Sequence, residues 1–597
     1  MALALMCSKW MPNSPRGLRI FIVDHEIRPG SSAEAQKVRQ LIKKHCLGKS
    51  YVIRQAALFS DILDAAIRGK ILKLQSAVDS GPIHWGQNLE TQARKLRYQT
   101  LGRACRDHKV SYLLLGHHED DQYETVLGRL AQGHRYALSG MQANTKIPEN
   151  HENYGISESG YVRTLPVLQK HQYWKNRGWD FSDRVRGIET GGVHILRPLL
   201  GFSKDRLMAT CRYFDVPWIE DESNLDQTLT PRNAIRCMIK NHKLPAALSK
   251  ENLLRMSERI KQRNEQIQDL ANKAWDACDV RLEVRNGTAR IRFPRPGNLS
   301  STSADVTNVQ IGRFRTIAAI LLRKACLLVS HDCGTLTDYD LAIDYVLNSA
   351  SKISADIRAG QRKPSFEAGG VYFMGEQDRE ATSHTPFLDS WVWTLRRAQY
   401  QYNSLRGMNS HPDNSPSLNI RVPGRAKESV LPYHQSEFQL WDGRFWIAVR
   451  NPFEHDLWIR PLKKDHLMHL YTLAKSESIY IRIPEHGIRN GTFRQLREHF
   501  SKIAPGDSRF TLPIIEGPAV PGYDLPIVLA IPTLGIRIDP RDYLGRFLKW
   551  PQRPISWEVR YKSVDLGSGN WEDRLEHETE IDPPKAFAAK KSGIDFV

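Results

Sequence analysis

Nothing in this chain limits its fold more than YLLLGHHEDDQYET, residues 112–125. The apolar run Tyr112–Leu115 is too short for a buried helix, and Gly116 closes it. It therefore reads as a strand covered on both faces. Asp120, Asp121 and Glu124 fall within a turn and a half of the helix that follows directly. A strand covered on both faces needs helices on either side, which means a parallel sheet built from strand–helix–strand units. The rest of 18–240 keeps that rhythm. Strands are expected at Leu18–Val23, Tyr51–Ala56 and His194–Leu196, and helices at Ser32–His45, Asn88–Asp107 and Lys204–Phe214. The fold class is thus α/β, with a doubly wound parallel sheet, and such sheets bind ligands at the carboxyl ends of their strands.

Ala143–Gly192 breaks the rhythm. It is polar and lacks a period, so it reads as a surface insertion, partly disordered. Residues 246–275 read as one long helix, with Leu253, Ile260, Ile267 and Ala274 on one stripe. Between Arg236 and Arg263 there are eight Lys/Arg against two Glu, which suits either a solvated face or a phosphate-contacting one. RLEVRNGTARIRF reads as a hairpin with Asn286-Gly287 as a type I′ turn. Beyond about residue 300 the pattern is mixed α/β or β-rich. The expected domains are 1–240 with the insertion 143–192, a basic helical segment 241–280, and a region 281–597 with room for two subdomains.

A net charge of +19 favours a polyanionic partner such as nucleic acid. No run of 18 apolar residues occurs, so no membrane helix is expected. The eight cysteines are scattered without a CxxC pair, which argues against a zinc ribbon or a disulfide framework and for a reducing compartment.

The candidate chemistry begins with the carboxylates of GHHEDDQYET. Three so close together repel unless a cation, an ammonium group or a helix N-terminus compensates, although plain helix capping would use the same residue types. Arg94 and Arg97 lie three apart in ARKLRY. Arg197 lies in ILRPLL, Asp221 and Asn224 in EDESN, and Arg232, Asn233 and Arg236 in TPRNAIR. Turn formation accounts for EDESN and a salt-bridged helix face accounts for the two arginines of TPRNAIR just as well.

Taken in order, VDHEIRPGSSAEA (Val23–Ala35), ARKLRY, GHHEDDQYETVLGRLAQG (Gly116–Gly133), LSGM (Leu138–Met141), RPLL and DESN with RNAIR resemble the tRNA(Ile)-lysidine synthetases. These enzymes are N-type ATP pyrophosphatases of the PP-loop superfamily, with an adenine nucleotide alpha hydrolase-like fold. The resemblance spans about 220 residues and is loose elsewhere. It implies an ATP-dependent ligation of free lysine to C2 of the wobble cytidine in an isoleucine tRNA with a CAU anticodon, through an adenylated intermediate. It further implies catalytic roles for His117, Asp120, Asp121 and Glu124, with Mg²⁺ on Asp120 and Asp121. ATP would be met by Asp24, His25, Arg28, Arg94 and Arg97. The tRNA would be met by Arg197, Asp221, Asn224, Arg232, Asn233 and Arg236. A homodimer stays open, and no membrane partner is implied. The family serves bacteria and organelles. A mitochondrial setting is favoured for a eukaryotic chain and a cytoplasmic one otherwise, with no readable targeting signal.

Three departures stand out. Gln132 replaces the arginine usual before the glycine of its motif, the insertion is long, and the SGGxDS phosphate loop does not occur in the sequence. Met1–Trp10 (MALALMCSKW) resembles the helix that follows this loop in the family. The expectation is therefore a synthetase whose start lies upstream of Met1 and whose central strand would then be missing. The alternatives are a catalytically inactive tRNA-binding homologue, or another PP-loop enzyme such as a 2-thiocytidine synthetase, against which the lack of CxxC counts.

Overall fold

Arg19–Asp24 alternates so that Ile20 and Ile22 face one way and Phe21 and Val23 the other, and both faces are covered. The computed structural model describes residues 1–10, 18–24, 31–46, 49–54, 86–134, 137–164, 185–219, 231–294, 308–331, 333–347, 365–377, 391–400, 417–426, 433–483, 488–519, 526–540 and 554–568. Along the first part run α1 (Ala2–Trp10), β1 (Arg19–Asp24), α2 (Ser31–His45), β2 (Lys49–Arg54), α3 (Gly86–Asp107), β3 (Tyr112–Leu114) and α4 (Glu119–Ala131). They are followed by β4 (Asn144–Thr145), β5 (Tyr161–Thr164), β6 (Val185–Thr190), β7 (His194–Leu196), α5 (Lys204–Tyr213), α6 (Pro231–Asn241) and α7 (Lys250–Asp276). The strands and helices expected up to Phe214 are found, with ends shifted by up to two residues.

The chain divides into two units, Met1–Val162 with Glu189–Ile267, and Arg163–Ile188 with Gln268–Val597. The division falls inside α7 and gives part of the insertion to the second unit. The sequence-based boundaries at 240 and 280 bracket it.

In the first unit, β1 and β2 pair in parallel from Arg19↔Lys49 to Asp24↔Arg54. A second ladder joins β3 to β7 in parallel and β7 to β4 antiparallel. No ladder joins β1 to β3 among the described residues, yet Phe21 and Val23 share one apolar cluster with Leu113 and Ile195. Tyr98, Leu101 and Cys105 of α3, spaced as one helical face, close that cluster. On the other face of β1, Leu5 of α1 packs with Ile42 and Cys46 of the α2 end and with Val216. Helices thus cover both faces of β1, as a doubly wound α/β unit requires. MALALMCSKW is the helix α1 itself.

The insertion differs from expectation at its start. Ile147 and Ile156 are fully buried in the α3 cluster, and the Asn150 amide donates to the Tyr98 carbonyl at 2.7 Å. A polar composition hid two isolated apolar anchors that follow no period. Residues 165–184 lie outside the described residues. The long helix starts at Lys250, after a short 3₁₀ turn at Ala246–Leu248, because Ser249 caps it by accepting from Asn252 N.

The second unit is mixed α/β. A five-stranded antiparallel sheet runs in the order Ser365–Ala368, Val371–Gln377, Trp391–Arg397, Thr288–Arg292, Asp279–Glu283, packed by helices Asn308–Val329 and Asp340–Val346. A seven-stranded antiparallel sheet, including Pro513–Ala519 and Pro526–Ile531, carries helices Lys464–Lys475 and Phe493–Ile503. In a third sheet β6 pairs in parallel with Ser556–Tyr561.

The 279–292 hairpin is present, but its turn is not type I′. Glu283 pairs with Thr288, leaving a four-residue loop in which Gly287 alone has positive φ, +66°. The Asn286 side chain is drawn inward instead, accepting from Thr288 N at 2.8 Å and donating to the Ile503 carbonyl.

Candidate active site at the carboxyl end of the parallel sheet

Where β3 ends, Gly116 and His117 lead to His118, whose extended backbone makes it the N-cap of α4. His118 Nδ1 accepts from Asp121 N at 3.4 Å, and the Asp121 carboxylate accepts from His118 N at 3.0 Å. This capping box fixes the first turn of α4 and holds Asp121 in place. The capping explanation for the acidic run is therefore real for Asp121, and the carboxylate does more besides.

Asp121 and Glu124 lie one turn apart on α4, and Arg232 and Arg236 one turn apart on α6. The four interlock. Arg232 donates from Nε to Glu124 at 2.7 Å and from Nη2 to Asp121 at 2.7 Å. Arg236 donates from Nε to the other Glu124 oxygen at 2.8 Å and reaches Asp121 at 3.5 Å. Both carboxylates are buried, and each guanidinium keeps about a third of its side chain in solvent, 35% and 32%. Buried charges persist when they are paired and hydrogen-bonded, and this set is both. The Arg232 and Arg236 pairing is thus a clamp between α4 and α6.

Asp120 points elsewhere. Its two oxygens accept from Lys250 Nζ at 2.7 Å and from Lys204 N at 2.7 Å, and Lys250 also meets Glu119 at 2.7 Å. Burial pushes the Asp120 carboxyl up, but the Lys250 hydrogen bond and the Lys204 N–H outweigh it and leave the group below its ordinary value. Lys250 responds in the opposite sense: burial pulls it down, and Asp120 and Glu119 raise it more. Lys250 went unnoticed in the sequence because it lies 130 residues from Asp120 and opens a helix that reads as a separate element.

His117 is half-buried, and its Nδ1 has no hydrogen-bond partner among the described residues. Burial pulls its pKa down to about 4. Asp121 opposes the shift, and Arg197, Arg232 and Arg94 add to it. The imidazole is therefore neutral at pH 7, with a nitrogen to offer, in a field set by three guanidiniums and one carboxylate.

The remaining expected residues separate. Asp24 is buried at the end of β1 and accepts from Ser32 Oγ at 2.5 Å, so it fixes the start of α2. Arg94 is exposed, pairs with Glu149 at 3.0 Å and lies over the Tyr98 ring. Arg97 is exposed on the same helix. Asn233 is buried within α6. Arg197, expected to meet tRNA, is instead buried, donating to the Gln142 carbonyl at 2.8 Å and Thr145 Oγ1 at 3.0 Å. It braces the segment after the LSGM stretch rather than offering a contact. His25, Arg28, Asp221 and Asn224 lie outside the described residues. Two side chains not singled out in the sequence shape the LSGM segment. Gln122 makes a two-point amide pairing with Met141, at 3.1 and 2.7 Å, and Arg129 donates to the carbonyls of Ala137 and Gly140.

The expected Mg²⁺ on Asp120 and Asp121 does not fit this arrangement. Every carboxylate oxygen of Asp120, Asp121 and Glu124 is already met by a cationic side chain or a backbone N–H. No cluster of three His, Cys, Asp or Glu side chains suited to a metal occurs among the described residues.

The profile of the PP-loop domain family matches residues 1–172 and 179–243. These residues therefore form a PP-loop domain. A probable tRNA(Ile)-lysidine synthase of Schizosaccharomyces pombe is 29% identical over 240 residues, which is 40% of this chain and 40% of that protein. A tRNA(Ile)-lysidine synthase of Wolbachia from Brugia malayi is 27% identical over 202 residues, 34% of this chain and 31% of its own length. The chain thus spans well under half the length of these relatives. A U34-tRNA thiolase structure from Methanococcus maripaludis matches 44% of this chain and 68% of its own at 13% identity, with a TM-score of 0.27. The PP-loop domain is the unit that holds the interlocked carboxylates and guanidiniums.

Proposed function

We propose that the protein is an ATP-dependent tRNA-modifying ligase that joins lysine to C2 of the wobble cytidine in a CAU-anticodon isoleucine tRNA. The observation that carries this reading is the Asp121–Glu124–Arg232–Arg236 set beside a neutral, half-buried His117, at the carboxyl end of β3. The lysidine synthases among the relatives support it.

In the first step the cytidine O2 bonds to the α-phosphorus of ATP as the bond to pyrophosphate breaks. The charge leaving with pyrophosphate calls for fixed cations, and the partly exposed Arg232 and Arg236 with the exposed Arg94 suit that. In the second, the lysine ε-ammonium loses a proton, its nitrogen bonds to C2, and the C2–O bond to AMP breaks. Carboxylates suit the ammonium, and the Glu119–Asp120 pair already holds one, that of Lys250. Nδ1 of His117, without a partner among the described residues, can take a hydrogen bond or a proton, and a phosphate bound next to it would raise its basicity.

The test is incorporation of labelled lysine by the full gene product into CAU-anticodon tRNA. Incorporation should require ATP, and Asp121→Asn should reduce it by at least about a hundredfold, the scale of a misplaced catalytic group. Incorporation without ATP, or wild-type incorporation by a folded Asp121→Asn variant, would refute the reading.

A further inference from the structure

At the pole opposite the candidate active site, the PP-loop domain presents aromatic rings and cations together. The start of α1 lies at the carboxyl end of β3, since a Cβ on Gly116 would come within 4.0 Å of Leu3 Cδ2. The start of α5 lies there too, because Lys204 N donates to Asp120. Both helices run about 15 Å, so their far ends, Trp10 and Tyr213, lie at the amino ends of the strands. Those two rings are strongly exposed, 64% and 83%. They are linked through packed neighbours: Lys9 Nζ sits 4.1 Å from the Phe214 ring centre, and Tyr213 meets Phe214 edge-on at 4.9 Å. Arg212 lies over Trp218 at 5.7 Å. The end of α2 adds Lys43 and Lys44, both exposed, next to Cys46, which packs with Leu5 and Val216 in the same cluster.

We propose that this pole is a stacking platform for unpaired bases of RNA. Two considerations select that partner. Contiguous apolar surface rimmed by polar groups marks a binding site, and here Tyr213, Phe214 and the Lys9 stem pack into one run that ends beside Trp10. Protein-binding patches, however, are depleted of lysine at their centres, whereas these rings are interleaved with lysine and arginine. Rings flanked by cations are what single-stranded nucleic acid uses: bases stack on the rings, and the phosphates between them meet the cations. The net charge of +19 works in the same direction over longer range. The platform stands apart from the ligation chemistry, and its test needs no turnover.

The test titrates the full chain with a short fluorescein-labelled oligouridylate and follows anisotropy and tryptophan quenching. Trp10→Ala/Tyr213→Ala should weaken binding by about tenfold or more, the scale of losing one stacked base. Trp10→Phe/Tyr213→Phe, which keeps the rings, should restore most of it. Lys43→Ala/Lys44→Ala should flatten the dependence of affinity on salt by roughly 0.7 for each phosphate that these lysines no longer neutralise. Circular dichroism checks that each variant is folded. The proposal is overturned if the double alanine variant of the rings binds oligouridylate as the wild type does, or if it loses affinity for inorganic polyphosphate by the same factor. It is equally overturned if the rings instead govern self-association of the chain or binding to anionic vesicles.

Discussion

The interlocked set at α4 and α6 makes a quantitative demand. Arg232→Met removes the two 2.7 Å contacts to Glu124 and Asp121 and leaves Arg236 to meet both carboxylates, one at 2.8 Å and the other at 3.5 Å. Removing one partner of a fully buried pair costs about 3–5 kcal/mol. The guanidinium is a third exposed, so water recovers part of this, and about 2 kcal/mol is the reasoned cost. Glu124→Gln alone leaves two guanidiniums facing a neutral amide and should cost about the same. With both changes together, the second adds little, so the coupling energy should be about 1–2 kcal/mol. A chain of two units need not unfold in one step, so the reading belongs on the clamp itself. Amide hydrogen exchange over α6 measures its local opening, and about 2 kcal/mol corresponds to roughly thirtyfold faster exchange. Unchanged exchange in Arg232→Met would show that the ion pairs do not hold α6. Strictly additive effects in the double variant would show that the two side chains do not act on each other.

His117 and Leu5 give two further expectations. The His117 ring should titrate near pH 4 by NMR, against 6.5 for an ordinary histidine, so the unfolded chain binds the proton first. Stability should therefore fall as pH drops from about 6.5 to 4 and be insensitive to this group above that window; a midpoint at about 6 or above would remove the case for a neutral imidazole. Leu5→Ala empties a site that is 1% exposed between α1, α2 and Val216. It should cost about 2–5 kcal/mol in denaturant midpoints for the first unit, and a loss below about 1 kcal/mol would mean that α1 is not part of that core.

Much of the first unit could be read from local pattern because its elements are specified locally. A strand such as Tyr112–Leu114 declares itself by an apolar run ended by glycine, and α3 by the spacing of Tyr98, Leu101 and Cys105. MALALMCSKW was legible in the same way as a helix interior, although its burying partners, Ile42 and Val216, were not. The misreadings have one cause, which is that the deciding contact is distant in sequence. Ile147 and Ile156 lie in polar surroundings, and the distant side chains of α3, β3 and β7 make them core. Asn286-Gly287 suggests a type I′ turn, but Asn286 bonds to Ile503, 217 residues on, and the loop takes four residues.

The same rule divides the candidate site. Residue types near the end of β3 indicated a carboxylate cluster, because a helix entered from a buried strand places i and i+3 side chains on one face. Which cation compensates each carboxylate could not be read, since Arg232 lies 111 residues from Asp121 and Lys250 lies 130 from Asp120. That pairing decides the chemistry. A carboxylate already held by two guanidinium donors is a poor metal ligand, yet it fixes where those guanidiniums stand. Lysine could not replace either arginine there: a single ammonium cannot bridge Asp121 and Glu124 with the planar fork that Nε and Nη2 provide. Arg232→Lys should therefore behave like Arg232→Met in the exchange experiment, despite keeping its charge. If it behaved like the wild type, net charge rather than fork geometry would be holding the two helices together.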